Sequence, residues 1–444
     1  MKKEIEKEKI ILELLSDFYI FIMIILFPLM IDDTGFFHIF EFKWYSYMII
    51  SSLFVGINFL VYIYFLLFKK INYLKYVTFS KIQLLVIIFL IINIISCFSS
   101  PFFNKYNLLI GIGRGEGLIA ISMYCISFLL ISFFASFKRK YLLYFSISSI
   151  LLNVIAILQY IGFNPLNMYQ DGIGTHNVSF MTTIGNVDFI SATYCILLSV
   201  SFCSFVFLKN NTRWEKIIHL LSIFLGFFIL GIIDVQSGKV AFLFTLIIIF
   251  PFVISNNNRL SNFLVIISAV LMSYCINIII NPEYHYDINR LDLYFQFNYI
   301  VILYMIVCGL LIFLSFKMKK LKYDFTKNKK IIKNIYFTIF LFLIIGVLII
   351  YFVNFKSGIL YEVHELLHGN FDDNFGTYRI FLWKRTIPLI SEYPIIGSGP
   401  DTFAIRFMSK YSMDVASIGP LTINDTAANV YLTMLINIGF VGRS

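Results

Sequence analysis

Charge is what this sequence has least of. Only 14% of its 444 residues are Asp, Glu, Lys or Arg, against roughly 25% in a soluble domain. With 59% apolar residues and 51 Phe, the chain carries more hydrophobic side chain than a soluble core of this length can hide, which excludes a soluble protein. The same wealth of Phe, Ile and Leu excludes disorder. Cysteine is scarce as well. The six present (Cys97, Cys125, Cys195, Cys203, Cys275 and Cys308) sit inside apolar runs without C-x-x-C spacing. That excludes a disulfide framework or thiolate metal site and leaves small buried apolar residues. No serine–histidine–acid order and no G-K-[ST] phosphate loop is present, so ATP chemistry is not expected.

Long apolar runs are what the chain has instead. A helix crossing a bilayer needs about 20 mostly apolar residues. Eleven complete runs meet that measure: 11–31, 45–68, 82–100, 118–137, 141–162, 189–208, 217–235, 240–255, 261–280, 297–316 and 334–355. A twelfth begins near Ala428 and stops with the chain at Ser444, as a truncated span would. The predicted architecture is an all-α, polytopic transmembrane helical bundle of about 11–12 spans. Run 240–255 is short and holds Pro251, which predicts a kink or a re-entrant pair with its neighbour. The first nine residues, MKKEIEKEK, are too acidic for a cleaved leader, and no small-residue cleavage site follows, so the first run is read as a retained anchor.

The net charge of +10 suits a nucleic-acid partner only if the cations cluster for one, and they do not. With the N-terminus in the cytoplasm, 23 of the 35 Lys and Arg fall in inner segments and five in the short outer loops. This is the pattern that orients membrane proteins. Basic runs such as KMKKLKYDFTKNKK (317–330) are then read as topology signals beside anionic lipid. The expected organisation is a transmembrane region over 1–355, a large extracytoplasmic loop over 356–427, and the start of a further span at 428–444. Four of the nine prolines, Pro388, Pro394, Pro400 and Pro420, fall in that loop. Long ordered loops carry function.

Several constellations bear on chemistry. His364-Glu365-Leu366-Leu367-His368 has the i, i+4 histidine spacing of a zinc metalloprotease. No further ligand follows at a familiar spacing, and an amphipathic surface helix gives the same pattern, so no metal is expected. Gly111-Ile112-Gly113-Arg114-Gly115-Glu116-Gly117 imitates a phosphate loop without the strand that such loops follow. At a membrane boundary its Arg114 and Glu116 are costly charges, and its glycines let backbone N–H groups approach an anion. Thr182-Thr183-Ile184-Gly185-Asn186-Val187-Asp188 and Gln236-Ser237-Gly238-Lys239 face the same side. So does the richest cluster, which runs through Arg379, Trp383-Lys384-Arg385 and Gly397-Ser398-Gly399-Pro400-Asp401-Thr402-Phe403. Arg114, Lys239, Arg379, Arg385 and Arg406 thus share one side of the membrane, and arginine grips phosphate through two parallel hydrogen bonds.

One family resembles this arrangement. R-x-x-x-W-K-R-T-I-P-L from Arg379, then Pro394 to Phe403, is similar to the O-antigen ligase and O-antigen polymerase superfamily, in the form found in low-GC Gram-positive bacteria. Arg114-Gly115-Glu116-Gly117-Leu118 resembles its R-x-E-G-L, and Thr183-Ile184-Gly185-Asn186 its T-x-G-N. Gln236-Ser237-Gly238-Lys239 stands where the family has S-R-G, with Lys239 offset from the arginine position.

The resemblance implies inverting, GT-C-like glycosyl transfer on the extracytoplasmic face, in the plasma (inner) membrane. The donor would be a polyprenyl-pyrophosphate-linked glycan, such as one on undecaprenyl pyrophosphate, and the acceptor another glycan or cell-envelope polymer. No cofactor is implied. Arg114, Lys239, Arg379 and Arg385 would hold the pyrophosphate. Glu116, Trp383 and Asp401 would be structural or on the acceptor side, and Asp425, Asn429 and Tyr431 catalytic. The family's general base is a histidine in D-x-x-H-N-x-Y-L. This chain reads Asp425-Thr426-Ala427-Ala428-Asn429-Val430-Tyr431-Leu432, with Ala428 at the histidine position. Alanine takes no proton. An inactive homologue, a different base (Asp425, His364 or His368) and a catalytic substitution all fit that departure. A lipid-linked sugar transporter that makes no bond is the alternative function; a HExxH protease is a more distant one.

Overall fold

The computed structural model describes residues 2–36, 38–68, 79–112, 114–168, 181–233, 235–285, 290–295, 299–417 and 425–442. Gly113, Pro420 and the terminal Arg443-Ser444 lie outside them. Helices dominate the described chain. In order they are α1 (Lys2–Phe21), α2 (Phe27–Leu29), α3 (Ile39–Phe68), α4 (Lys81–Phe98), α5 (Leu118–Phe134), α6 (Arg139–Tyr160), α7 (Val187–Phe207), α8 (Arg213–Ile232), α9 (Gln236–Ile254) and α10 (Asn257–Ile279). A hairpin of β1 (Ile280–His285) and β2 (Arg290–Phe295) follows, the one departure from an all-helical chain among the described residues. Then come α11 (Tyr299–Lys320), α12 (Lys329–Phe352), α13 (Gly358–Leu367), α14 (Phe375–Ile390), α15 (Phe403–Ala416) and α16 (Val430–Ile438).

Ten described helices are long and apolar enough to cross a membrane, and the apolar helix α5 is shorter at 17 residues. The chain is a multi-pass membrane protein. Pro251 does not divide its span: α9 runs unbroken through it as one helix of 19 residues, so the re-entrant alternative falls away. The cost of one lost backbone bond is tolerated inside a continuous helix. At 428–444 the helix α16 covers nine residues and ends at Gly439, where φ is +67°. The chain then turns back, and the Phe440 N–H donates to the Pro394 carbonyl at 2.8 Å.

The chain forms two compact units. One comprises 17–46 and 136–342, the other 1–16, 47–135 and 343–444. In the first, Tyr194, Leu198, Phe202, Ile223, Phe227 and Leu230 pack α7 on α8. Gly226 makes this approach possible, since a Cβ there would lie 2.4 Å from a Leu198 methyl. Small polar residues line the same seam. Ser146 Oγ lies 2.7 Å from both Ser201 Oγ and His219 Nδ1, and Ser201 lies 3.0 Å from Ser222. Small residues and interhelical hydrogen bonds are what hold helices together in lipid.

The same unit repairs a broken helix. After α1 a π-turn (Ile22–Leu26) and Pro28 interrupt the ladder, leaving carbonyls that need donors. Lys43 Nζ donates to the Phe27 and Pro28 carbonyls at 3.2 and 2.9 Å, and Thr183 Oγ1 adds a bond to Pro28 at 2.7 Å. Thr183, singled out in the sequence, therefore serves this break.

Candidate functional site

The second unit holds the C-terminal cluster. Its core is Phe381, Leu389, Phe403, Phe407, Ala427, Leu435 and Ile436, contributed by α14, α15, α16 and the segment before α16. The Gly397–Asp401 loop is threaded against α16 and the end of α4. Ser398 and Gly399 N–H groups donate to the Ile436 and Asn437 carbonyls at 2.9 and 2.8 Å, Ser100 Oγ donates to the Ser398 carbonyl, and Ser96 Oγ reaches Asn437 O at 2.9 Å. Only glycine fits at 397, where φ is +70° and a Cβ would meet the Asn437 backbone at 2.4 Å.

Asp401, 6% exposed, closes that loop onto the glycine-rich turn. Its carboxylate accepts the Ile112 N–H at 2.8 Å and the Arg114 N–H at 3.4 Å. Gly111 must be glycine for this, because φ is +102° and a Cβ would lie 2.5 Å from Asp401 Oδ2. The backbone N–H groups expected to cradle a ligand anion thus cradle a side-chain carboxylate of the protein itself. Beside them, Arg114 makes a two-pronged pair with Asp425. Its Nε and Nη2 donate to the two Asp425 oxygens at 2.8 and 3.1 Å.

These ties shape a cavity of about 490 Å³. Phe89 and Asn93 of α4, Arg114, Glu116, Tyr124 of α5, Pro400, Ala428, Asn429, Thr433 and Asn437 are among its walls. Burial pushes the Glu116 carboxyl above the usual range, and Asp401 adds to the rise; Arg114 opposes it, and Asp425 contributes a smaller increase. Ala428 is held at φ +48°, a left-handed conformation in which histidine and asparagine are enriched and alanine is not. Asn429 is the α16 N-cap; its Oδ1 accepts the Tyr431 and Leu432 N–H groups at 3.0 and 3.3 Å. Tyr431 is exposed and is not among the cavity walls.

The loop cations divide sharply. Arg385 gives Nε to Asp414 at 2.8 Å and Nη1 to Asp373 at 3.1 Å, and lies 3.6 Å over the Phe381 ring. Lys384 pairs with Asp373 at 2.7 Å. Arg406, 3% exposed, pairs with Glu392 at 2.7 Å and donates to the Leu389 carbonyl and Ser398 Oγ. Lys410 takes the other Glu392 oxygen. Arg379 alone of this set makes no ion pair or hydrogen bond among the described residues. It follows three left-handed residues, Gly376, Thr377 and Tyr378, with φ of 63°, 58° and 63°. Non-glycine residues rarely hold that conformation, and a β-branched threonine least of all. One helical turn beyond Arg379, on the same face, Trp383 Nε1 donates to the Ala427 carbonyl at 3.0 Å. Ala427 immediately precedes the cavity wall at Ala428.

The structure therefore gathers Arg114, Glu116, Ala428 and Asn429 on one cavity, with Asp401 and Asp425 bound to Arg114 at its rim and Trp383 tied to Ala427, the residue before Ala428; Arg379 is not among the cavity walls. Lys239 belongs to the other unit, in the first turn of α9, where Gly238 packs on Ser191 of α7. His364 lies on α13 and His368 is its C-cap, their rings 4.3 Å apart and each Nδ1 on a backbone carbonyl. No group of three metal-ligating side chains occurs among the described residues. Sequence reasoning missed Asn93, Tyr124 and Asn437. Their signal was present, since each is a polar side chain within an apolar run.

Residues 293–443 match the family model described as O-antigen ligase. The match takes in the Arg379–Phe403 block and the segment of Ala428, while Arg114 and Thr183 precede it. No curated protein and no solved structure matches the chain.

Proposed function

We propose, from the match of residues 293–443 to the O-antigen ligase family model, that this chain transfers a saccharide from a polyprenyl-pyrophosphate carrier to a glycan or other cell-envelope acceptor. The lysine and arginine distribution supports a cytoplasmic N-terminus in the plasma (inner) membrane, with transfer on the opposite face. Arg379 carries the reading. A pyrophosphate needs a guanidinium whose donors are uncommitted, and Arg379 meets that need one helical turn before Trp383, whose indole donates to the carbonyl of Ala427, next in sequence to the cavity residue Ala428. Arg114 and Arg385 support it by exchanging carboxylate partners for phosphate oxygens, and Lys239 is a lesser contributor. Asp401, Asp425 and Trp383 act by fixing the loops, and Asn429 by starting α16. Since pyrophosphate is already a good leaving group, holding donor and acceptor in line supplies most of the catalysis.

The test is carrier-linked glycan turnover in cells expressing Arg379→Ala at normal protein level. Loss of larger glycan products is expected; unchanged products sink the reading. Ala428 favours a second reading, transport of the lipid-linked sugar without bond formation. Unaltered carrier-linked sugar appearing across a vesicle membrane, with no new glycosidic bond, distinguishes it.

A further inference from the structure

The cavity offers a proton acceptor, although its wall at 428 carries only a methyl group. Three carboxylates gather at this site. Asp401 accepts the backbone N–H groups of Ile112 and Arg114, one on each oxygen. Asp425 spends both oxygens on the Arg114 guanidinium. Glu116 lines the cavity, and no donor among the described residues hydrogen-bonds its carboxyl. Asn93 stands on the same wall, 1% exposed; its Nδ2 is tied to the Phe89 carbonyl at 2.8 Å and its Oδ1 has no partner. A buried amide oxygen without a donor costs about 1–3 kcal/mol, so a site that keeps one is built for a ligand that donates. Two spare acceptors in one cavity fit a molecule rich in hydroxyls.

Resting on the glycosyl-transfer reading, we propose that the cavity seats the acceptor saccharide. There the Glu116 carboxylate removes the proton of the attacking hydroxyl, and Asn93 Oδ1 holds a second hydroxyl of the same sugar. The oxygen so freed attacks the anomeric carbon of the donor. The bond from that carbon to pyrophosphate breaks, and its electron pair leaves with the pyrophosphate. The proton stays on Glu116 and is lost to water afterwards. The groups facing Glu116 are the Arg114 guanidinium, the Asp401 and Asp425 carboxylates and the Tyr124 hydroxyl. Burial and the two carboxylates raise its affinity for a proton, which makes its ionised form a stronger base than a free glutamate.

The experiment uses the full chain in vesicles supplied with the polyprenyl-linked glycan pool extracted from its own cells, following glycan enlargement from pH 4 to 9. With wild type, transfer falls as the pH drops through the Glu116 titration. Glu116→Gln is expected to lower the rate about 10²–10⁴-fold, the range for removal of a general base, and to abolish that acid limb. Glu116→Asp should recover part of the rate with the limb intact. Ala428→His, on the same wall, should restore transfer to Glu116→Gln with a new limb near neutral pH. Wild-type rate and pH profile in Glu116→Gln overturn the proposal and leave glycosyl transfer standing. So does a slow Glu116→Gln enzyme that keeps the wild-type acid limb, because a merely structural residue behaves so. A wild-type protein that enlarges no glycan defeats the underlying reading instead.

Discussion

The Arg114 guanidinium grips both oxygens of Asp425 at 2.8 and 3.1 Å, joining the turn after α4 to the segment before α16 across 311 residues of sequence. Both side chains keep about a third of their surface exposed, which limits the pair to about 1 kcal/mol. Arg114→Ala and Asp425→Ala should each lose that amount, and the double variant no more than either alone. Thermal unfolding in detergent across the four proteins measures the coupling; fully additive losses would show the contact to be idle.

Arg379 and Arg385, six residues apart in sequence, should respond differently to the same truncation. Arg379 has no ion-pair or hydrogen-bond partner among the described residues, so Arg379→Ala should change stability by less than about 0.5 kcal/mol while transfer collapses. Arg385→Ala removes the Asp414 pair, leaves Asp373 to Lys384 alone and uncovers the Phe381 ring, so it should lose stability by about 1–2 kcal/mol. Unfolding midpoints set beside glycan output separate the two.

Thr377 and Tyr378 hold backbone conformations that cost about 1 kcal/mol or more each. Thr377→Gly should therefore raise the melting temperature of the protein. It should also raise the donor KM, because the left-handed turn that aims Arg379 is no longer rigid. A stabilised variant with unaltered donor KM would separate the strain from the anion site.

Gly111→Ala is expected to damage the site with a single methyl group. The added carbon meets Asp401 Oδ2 and the Gly117 nitrogen at 2.5 and 2.7 Å in a φ that alanine avoids. A loss of about 1–3 kcal/mol follows, together with protease sensitivity in the Gly397–Asp401 loop, readable by limited proteolysis.

Acid should act on the loop and the cavity in opposite directions. The Lys384 ammonium, with help from Arg385, holds the Asp373 carboxyl below its ordinary 3.8, and Lys410 with Arg406 holds Glu392 below 4.5. Depressed carboxyls contribute stability that is complete above those ordinary values and is lost as pH falls through the lower folded ones. Glu116 has the reverse sign. Its raised carboxyl contributes stability below pH 4.5 and loses it as pH rises through the folded value. Glu116→Gln should thus melt higher than wild type at pH 8, with the gap closing towards pH 4. A melting series over that range checks both signs.

Class and membrane character were legible in the sequence because a 20-residue apolar run needs no partner to declare itself. The eleven runs correspond in place to the ten long helices and to α5. The C-terminal block was legible too, since Trp383, Pro388 and Gly397–Asp401 are close in sequence and each residue type restricts its local backbone. Local spacing failed where partners are remote. Arg114, Arg379, Arg385 and Arg406 look alike as letters, yet Asp425, Asp373, Asp414 and Glu392 neutralise three of them and leave Arg379.

The sequence by itself determined what kind of molecule this is and where its polar chemistry collects, because burial in lipid depends on the composition of each segment alone. Only the tertiary structure decided which charges are spent and which are available. Asp401 finds an N–H donor 289 residues away at Ile112, while no donor among the described residues hydrogen-bonds the Glu116 carboxyl. A hydrogen bond needs its heavy atoms within roughly 3–3.5 Å, and that approach is set by the fold.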